Sequence, residues 1–266
     1  MTKLRFLTAM IYFDSKRFFS KIAEKSLDLL VFFRLSSRDN LREIVKNFYK
    51  NGYVVIPNYW PVEKCRSLVV ELDQLFGNPS ISNSLKDDVR IYDAQNHSAI
   101  AAEFFSDIQL RQISKWATGL KLENYGAMAN RVEPSKSNFG SGGGWHRDSN
   151  YSQFKTLIYL TDVTEADDGA FQIIPKTNGA FYVLNSNFRA GKKLTDTRWT
   201  DPEIGELGVG GKICTVIGGA GSLVIFDTSN LHRGAPNRNK SRYALTNYYY
   251  SNLTHQQYGQ KVENAK

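Results

Sequence analysis

Lys155-Thr156-Leu157-Ile158-Tyr159-Leu160 and, beyond the pair Asp168-Gly169, Ala170-Phe171-Gln172-Ile173-Ile174 are two short apolar runs with a turn signal between them. Runs of five or six residues, rich in β-branched and aromatic side chains and bounded by Asp-Gly, read as strands. The same texture continues outward at residues 212–217, 222–226 and 243–250, with Gly218-Gly219-Ala220-Gly221 between the first two of these. Strands this short and this regularly punctuated predict a β-sandwich or barrel. Polar, glycine-rich sequence interrupts the rhythm at residues 176–212 and is expected to be an insertion over one mouth of the barrel.

Upstream the period changes. Leu41, Ile44, Val45, Phe48 and Tyr49 recur at helical spacing behind Asp39 or Asn40 as N-cap, and Asn51-Gly52 ends the run. Residues 53–56 before Pro57 read as a short buried strand. A second helix is expected over residues 61–76, with Cys65, Leu68, Val69, Leu72 and Leu75 on its apolar face and Pro61 in its first turn. The expected fold is mainly β, a jelly-roll or cupin-like barrel packed on a helical N-terminal third.

The chain has 266 residues, a net charge of +8, 41% hydrophobic and 13% aromatic residues and 7 prolines. These values fit one globular domain with a terminal appendage and argue against disorder. Cys65 and Cys214 form no CxxC pair, so neither a disulfide framework nor a cysteine zinc site is expected, and a reducing compartment is the default. No run approaches the roughly 18 apolar residues of a spanning helix, and the start of the chain fits a secretory signal poorly, so the working expectation is cytoplasmic. Residues 1–38 hold a net +5 together with Phe6, Phe13, Phe18, Phe19, Phe32 and Phe33. This basic amphipathic segment, set apart from a domain at 39–266, suits either a helical pair packed on the domain or peripheral attachment to the inner face of an anionic membrane. No nucleic-acid partner is expected.

Trp145-His146-Arg147-Asp148 follows the glycine-rich residues 140–144. On a strand, residues two apart share a face, so His146 and Asp148 could reach one metal ion from one side. His232, placed at the end of the run 222–226, is the best third ligand. Two histidines and one carboxylate leave coordination positions open, the arrangement used by non-haem Fe(II) for oxygen chemistry. An isolated HxD pair is weak, and its bland alternative is a polar strand face. Arg242, ten residues beyond His232, could fork onto the remote carboxylate of a dicarboxylate cosubstrate, or could be one more surface charge among Arg238, Lys240 and their neighbours. His97 and His255 have no partner pattern. The glycines at 140–144 lack the setting of a phosphate loop, Asp167 and Asp168 read as turn residues rather than an acid/base pair, and no GxSxG nucleophile occurs.

Over about residues 42–250 the sequence resembles the phytanoyl-CoA dioxygenase (PhyH) family of Fe(II)/2-oxoglutarate-dependent oxygenases. The resemblance is carried, in order, by Asn51-Gly52-Tyr53-Val54-Val55-Ile56-Pro57 with the helix after it, by Trp145-His146-Arg147-Asp148, by residues 168–175, and by Leu231-His232-Arg233-Gly234-Ala235-Pro236-Asn237 leading to Arg242. It implies a double-stranded β-helix in which His146, Asp148 and His232 bind Fe(II), Arg242 binds 2-oxoglutarate, and O2 is the second cosubstrate. Met128 and Asn130 lie on the strand where the family lines its cosubstrate pocket; for Met128 plain core packing is the alternative. The family often closes its proline motif with Gly-Ser-His, whereas this chain reads Pro175-Lys176-Thr177-Asn178. The implied reaction is hydroxylation of an unactivated C–H in a small-molecule or lipid-linked substrate, with release of succinate and CO2. Halogenating relatives carry a small residue where Asp148 stands, so halide incorporation is not expected. Two alternatives remain: a β-barrel that captures ligand without catalysis, and a cupin-type metalloenzyme that uses no 2-oxoglutarate. Arg189, Lys192, Lys193 and Arg198 in the insertion fit an anionic substrate, or are solvated charges balanced by Asp196, Asp201, Glu203 and Glu206.

Overall fold

Gly52, at φ +78°, ends helix α1 (Asp39–Asn51) in the left-handed region that glycine enters without penalty, and strand β1 (Tyr53–Ile56) leaves at once. The computed structural model describes residues 39–250 except Asn138, together with Leu7, Thr8, Ile11, Tyr12, Asp14 and Ser15. After β1 come α2 (Val62–Phe76), the hairpin β2 (Ser82–Leu85) and β3 (Asp88–Ile91), α3 (Ala99–Phe105), α4 (Ile108–Thr118), β4 (Glu123–Val132), β5 (Phe154–Tyr159) and β6 (Phe171–Ile173). The chain continues through α5 (Ala180–Arg189), α6 (Asp201–Glu206), β7 (Cys214–Val216), β8 (Leu223–Asp227), β9 (His232–Gly234) and β10 (Arg242–Tyr250).

The strands form a seven-stranded antiparallel sheet, ordered β1-β8-β5-β10-β4-β3-β2, and a three-stranded sheet, ordered β7-β6-β9. Strand β8 explains why its sequence is continuously apolar. Leu223 and Ile225 enter the core that α1–α4 build with Phe48, Leu68, Leu72 and Phe104, while Val224 and Phe226 turn to the small sheet and meet Phe171 and Val216. A strand covered on both faces has no polar side to alternate with. The small sheet closes over the large one as a double-stranded β-helix, and α1–α4 back the outer face of the large sheet.

Several expectations need correction. His146 does not sit on a regular strand; it makes isolated bridges to Arg198 and His232. Nor does His232 end the run 222–226: the Asp227 carboxylate accepts from the Ser229 amide at 3.0 Å and its hydroxyl at 2.7 Å, turning the chain so that His232 opens β9 in the other sheet. Residues 176–212 are not a plain polar loop. They carry α5 and α6, the latter with a capping box between Thr200 and Glu203, and an apolar cluster joins Trp199, Ile204 and Val209 to Trp145 and Leu231. Most of residues 1–38 lies outside the described residues, as does His255. Asp14 is described, and its carboxylate accepts from the Ala180 amide at 2.7 Å, satisfying one of the free N–H groups at the start of α5. Among the described residues no helix is long and apolar enough to cross a membrane.

Candidate metal centre

Gly140 (φ +80°) lets the turn before Trp145 lie against β9: a Cβ there would stand 1.9 Å from the Gly234 carbonyl oxygen. The extended segment that follows is held by paired backbone bonds. His146 and His232 exchange N–H···O bonds, each 2.9 Å, and the amides of Arg147 and Asp148 donate to Thr197 at 2.8 Å and Thr228 at 3.2 Å. Such a pair sets two side chains directly opposite each other. Arg147 points the other way, fully buried, and its guanidinium donates to the carbonyls of Ser229 and Thr177 at 2.9 and 3.0 Å. Alternate residues thus serve opposite purposes, His146 and Asp148 facing the barrel interior and Arg147 pinning the segment from behind.

One ligand-capable atom from each of His146, Asp148 and His232 falls within 4.8 Å of the others. The imidazole centroids are 4.4 Å apart, and the Asp148 oxygens lie 3.4 Å from His146 Nε2 and 3.9 Å from His232 Nε2. Each Nδ1 sits 2.8 Å from a backbone carbonyl, that of Gly144 for His146 and of Asn230 for His232. A carbonyl only accepts, so Nδ1 carries the proton and the Nε2 lone pair faces the cluster, as a metal ligand requires. Burial, reinforced by His146, pushes the His232 pKa down to about 3 and keeps the ring neutral. For Asp148 burial alone would raise the pKa, but Lys155 and the two histidines hold the carboxyl well below its ordinary range. This donor set, neutral imidazoles and an ionised carboxylate on one side of a common point, fits a divalent first-row metal.

Lys155, on β5, is buried; its Nζ lies 2.5 Å from Asp148 Oδ2 and 4.2 Å from the centre of the Tyr248 ring. Sequence reasoning missed its role, although a lysine opening an apolar run, two residues before Leu157, was a visible sign. A cavity of about 180 Å3 opens beside the cluster and takes in Met128, Asn130 and Arg242. Arg242 opens β10 and is only 3% exposed, and its Nε has no hydrogen-bond partner among the described residues. Burial lowers its pKa, a sign of a charge short of compensation. Gly169 (φ +73°) clears space beside it, since a Cβ there would stand 3.4 Å from Arg242 Nε. Asn130 donates to Asp88 at 2.9 Å and Ser141 at 3.3 Å, and the Met128 sulfur accepts from the Tyr248 hydroxyl at 3.6 Å. Arg90, which grips the same Asp88, also reaches the cavity; it comes from a region that sequence analysis left unassigned. His97 is exposed and does not line this cavity.

Solved structures with this fold are distant in sequence. HygX from Streptomyces hygroscopicus, determined with nickel and 2-oxoglutarate, superposes with a TM-score of 0.61 at 16% identity, over 79% of this chain and 87% of its own. The non-heme alpha ketoglutarate dependent epimerase SnoN from nogalamycin biosynthesis gives 0.61 at 16%, over 80% and 83%. A prolyl-4-hydroxylase from Pseudomonas putida gives 0.53 at 15%, over 79% and 98%. No curated protein matches the chain by sequence. The profile of one family does match, over residues 48–244, a span that runs from α1 to β10 and includes His146, Asp148, His232 and Arg242; the chain belongs to the phytanoyl-CoA dioxygenase (PhyH) family.

Proposed function

We propose that the protein is an Fe(II)/2-oxoglutarate-dependent oxygenase that hydroxylates an unactivated C–H bond of a small-molecule or lipid-linked substrate. The observation that carries this reading is the convergence of His146, Asp148 and His232 beside a buried arginine whose Nε is unsatisfied, all on one cavity. The Nε2 atoms of the two histidines and one oxygen of Asp148 would hold the metal. Lys155 keeps the second Asp148 oxygen engaged, which favours one-oxygen ligation and leaves positions open. Arg242 presents a planar fork to the remote carboxylate of 2-oxoglutarate, matching it with two parallel hydrogen bonds. Asn130 and Met128 form the wall along which the cosubstrate lies. Iron bound here supplies the oxidative decarboxylation of 2-oxoglutarate to succinate and CO2 and the oxidation of the substrate C–H bond.

A purely ligand-binding barrel would have no use for an ionised carboxylate and two tautomerically fixed imidazoles at one point. A cupin-type enzyme without 2-oxoglutarate would have no use for a buried Arg242. Anaerobic titration of Fe(II) and 2-oxoglutarate, followed by visible absorption and metal content, tests the site directly. Stoichiometric iron binding that is lost in each of His146→Ala, Asp148→Ala and His232→Ala is the expected result, and iron content unchanged in any of them would sink the assignment. Solved neighbours of the same fold include an epimerase and a carbocyclase, so the reaction type needs its own test. A screen for substrate-stimulated succinate formation under 18O2 distinguishes them: hydroxylation places label in the product, and the other two outcomes do not.

A further inference from the structure

Five cationic side chains reach the inner cavity, Arg90, Lys155, Arg198, Arg233 and Arg242, against the single carboxylate of Asp148. Most have a partner that accounts for them. Arg90 bonds Asp88 at 3.0 Å through Nε, Arg233 bonds Gln172 and Asp201 at 2.8 Å each, and Lys155 holds Asp148. Arg242 faces the place proposed for 2-oxoglutarate. Arg198 differs. Its described bond runs from Nη1 to the neutral carbonyl of Gly142 at 2.7 Å, and no carboxylate pairs with it among the described residues. The side chain is exposed, so water meets its remaining N–H donors, and an anion that enters the cavity can displace that water without breaking an ion pair.

Arg198 is also fixed relative to the metal ligands. Its backbone bridges His146, and the next residue, Trp199, donates its amide to the Trp145 carbonyl at 2.9 Å. The side chain stands where the inner cavity meets a second one of about 360 Å3, which shares Arg90, Gly142 and Arg198 with it and adds Lys86, Asp87 and Phe139. The inner volume of about 180 Å3 falls below the roughly 300–1,000 Å3 usual for ligand pockets, whereas the outer one lies within that range. With Asp88 neutralised by Arg90, the outer wall keeps Lys86 and Arg198 against Asp87, a surplus of positive charge. Phe139, 71% exposed, adds an apolar surface.

We infer that the substrate carries a compact anionic group, seated on Arg198 where the two cavities join, with its uncharged portion against Phe139; phenyl phosphate serves as the probe for that group. The inference rests on the proposed function in one respect, that 2-oxoglutarate occupies the inner cavity. Of the four basic residues that the sequence offered for such a role, only Arg198 reaches these cavities; Lys192, for one, is paired with Glu203 at 2.6 Å.

Isothermal titration of phenyl phosphate into the full chain, loaded with Ni(II) and 2-oxoglutarate, provides the test, with phenol as the uncharged control. Phenyl phosphate should bind and phenol should not. Arg198→Met should weaken phenyl phosphate at least about tenfold, the size of one lost charge-assisted contact, and Arg198→Lys should fall between. The circular-dichroism spectrum and melting temperature of Arg198→Met should match wild type, which shows that the variant is folded. Wild-type chain that ignores phenyl phosphate, phenol that binds equally, or Arg198→Met that binds phenyl phosphate as well as wild type would each overturn the inference. Arg242→Met separates the two readings. If it still binds 2-oxoglutarate normally, the cosubstrate assignment fails, whereas loss of 2-oxoglutarate with retained phenyl phosphate supports both.

Discussion

Arg242→Met is expected to move stability in opposite directions with and without 2-oxoglutarate. Without cosubstrate the guanidinium is 3% exposed with an unsatisfied Nε, and burial has already lowered its pKa. An ion so placed carries a desolvation penalty of several kcal/mol, which methionine, unbranched and apolar, removes without leaving a large void. The variant alone should therefore melt above wild type. With 2-oxoglutarate the order changes. At a concentration of 100 times Kd, binding stabilises the wild-type chain by about 2.7 kcal/mol, or about 5–10 °C in Tm for a domain of this size. Losing the two-bond fork should weaken binding by about 3 kcal/mol, roughly 150-fold, which leaves about 0.3 kcal/mol of ligand stabilisation and a shift under about 1 °C. Differential scanning fluorimetry of Ni(II)-loaded protein over a 2-oxoglutarate series reads both quantities. A variant that keeps the ligand-induced shift would refute the cosubstrate role. A variant that melts well below wild type without ligand would show that Arg242 is a structural ion rather than a waiting receptor.

Three further outcomes are expected. Gly169→Ala puts a side chain at φ +73°, with its Cβ 3.3 Å from Asn237 Cβ and 3.4 Å from Arg242 Nε; it should cost about 1–3 kcal/mol of stability in urea unfolding and raise the KM for 2-oxoglutarate, and an unchanged KM would mean that Arg242 tolerates displacement. Asp168 is 2% exposed, and although burial alone would raise its pKa, hydrogen bonds from Thr164 and Asn239 and the nearby Lys240 ammonium hold its carboxyl below the ordinary range. A depressed folded pKa gives stability that is present above the unfolded value near 3.9 and is lost as pH falls through the folded one, so Asp168→Asn should be about 2 kcal/mol less stable at pH 7 and should show a flatter acid limb of urea midpoint against pH. Residues 1–38 either cover the domain or attach it to an anionic membrane, and co-sedimentation with anionic vesicles at low salt, for the full chain and for a chain beginning at Asp39, separates the two. The Asp14–Ala180 contact favours the first, in which the full chain stays in solution and the shortened one aggregates, whereas sedimentation of the full chain alone, at about 1 kcal/mol per engaged basic residue, would assign the segment to the membrane.

Local pattern alone was enough for much of this protein. The apolar run at residues 222–226 marked a strand, Asn51-Gly52 marked a helix end, and the two-residue spacing of His146 and Asp148 placed both on one side of an extended segment. These signals are legible because each depends on backbone periodicity or on a φ that only some residues adopt. The hairpin β2–β3 was silent for the converse reason: β2 reads Ser82-Asn83-Ser84-Leu85, an edge strand with no apolar alternation, and Arg90 stayed hidden with it. Lys155 could be seen as an oddity in an apolar run, but its bond to Asp148 depends on the way β5 lies between β8 and β10. The centre itself is a tertiary product. His146 and His232 are 86 residues apart, the first outside any regular strand and the second at the start of β9, and they face each other because two backbone hydrogen bonds join them. Sequence spacing can say which side of a strand a residue takes, but only long-range register decides which residue stands opposite, and the unsatisfied Nε of buried Arg242 follows from a register that brings no acceptor to it among the described residues.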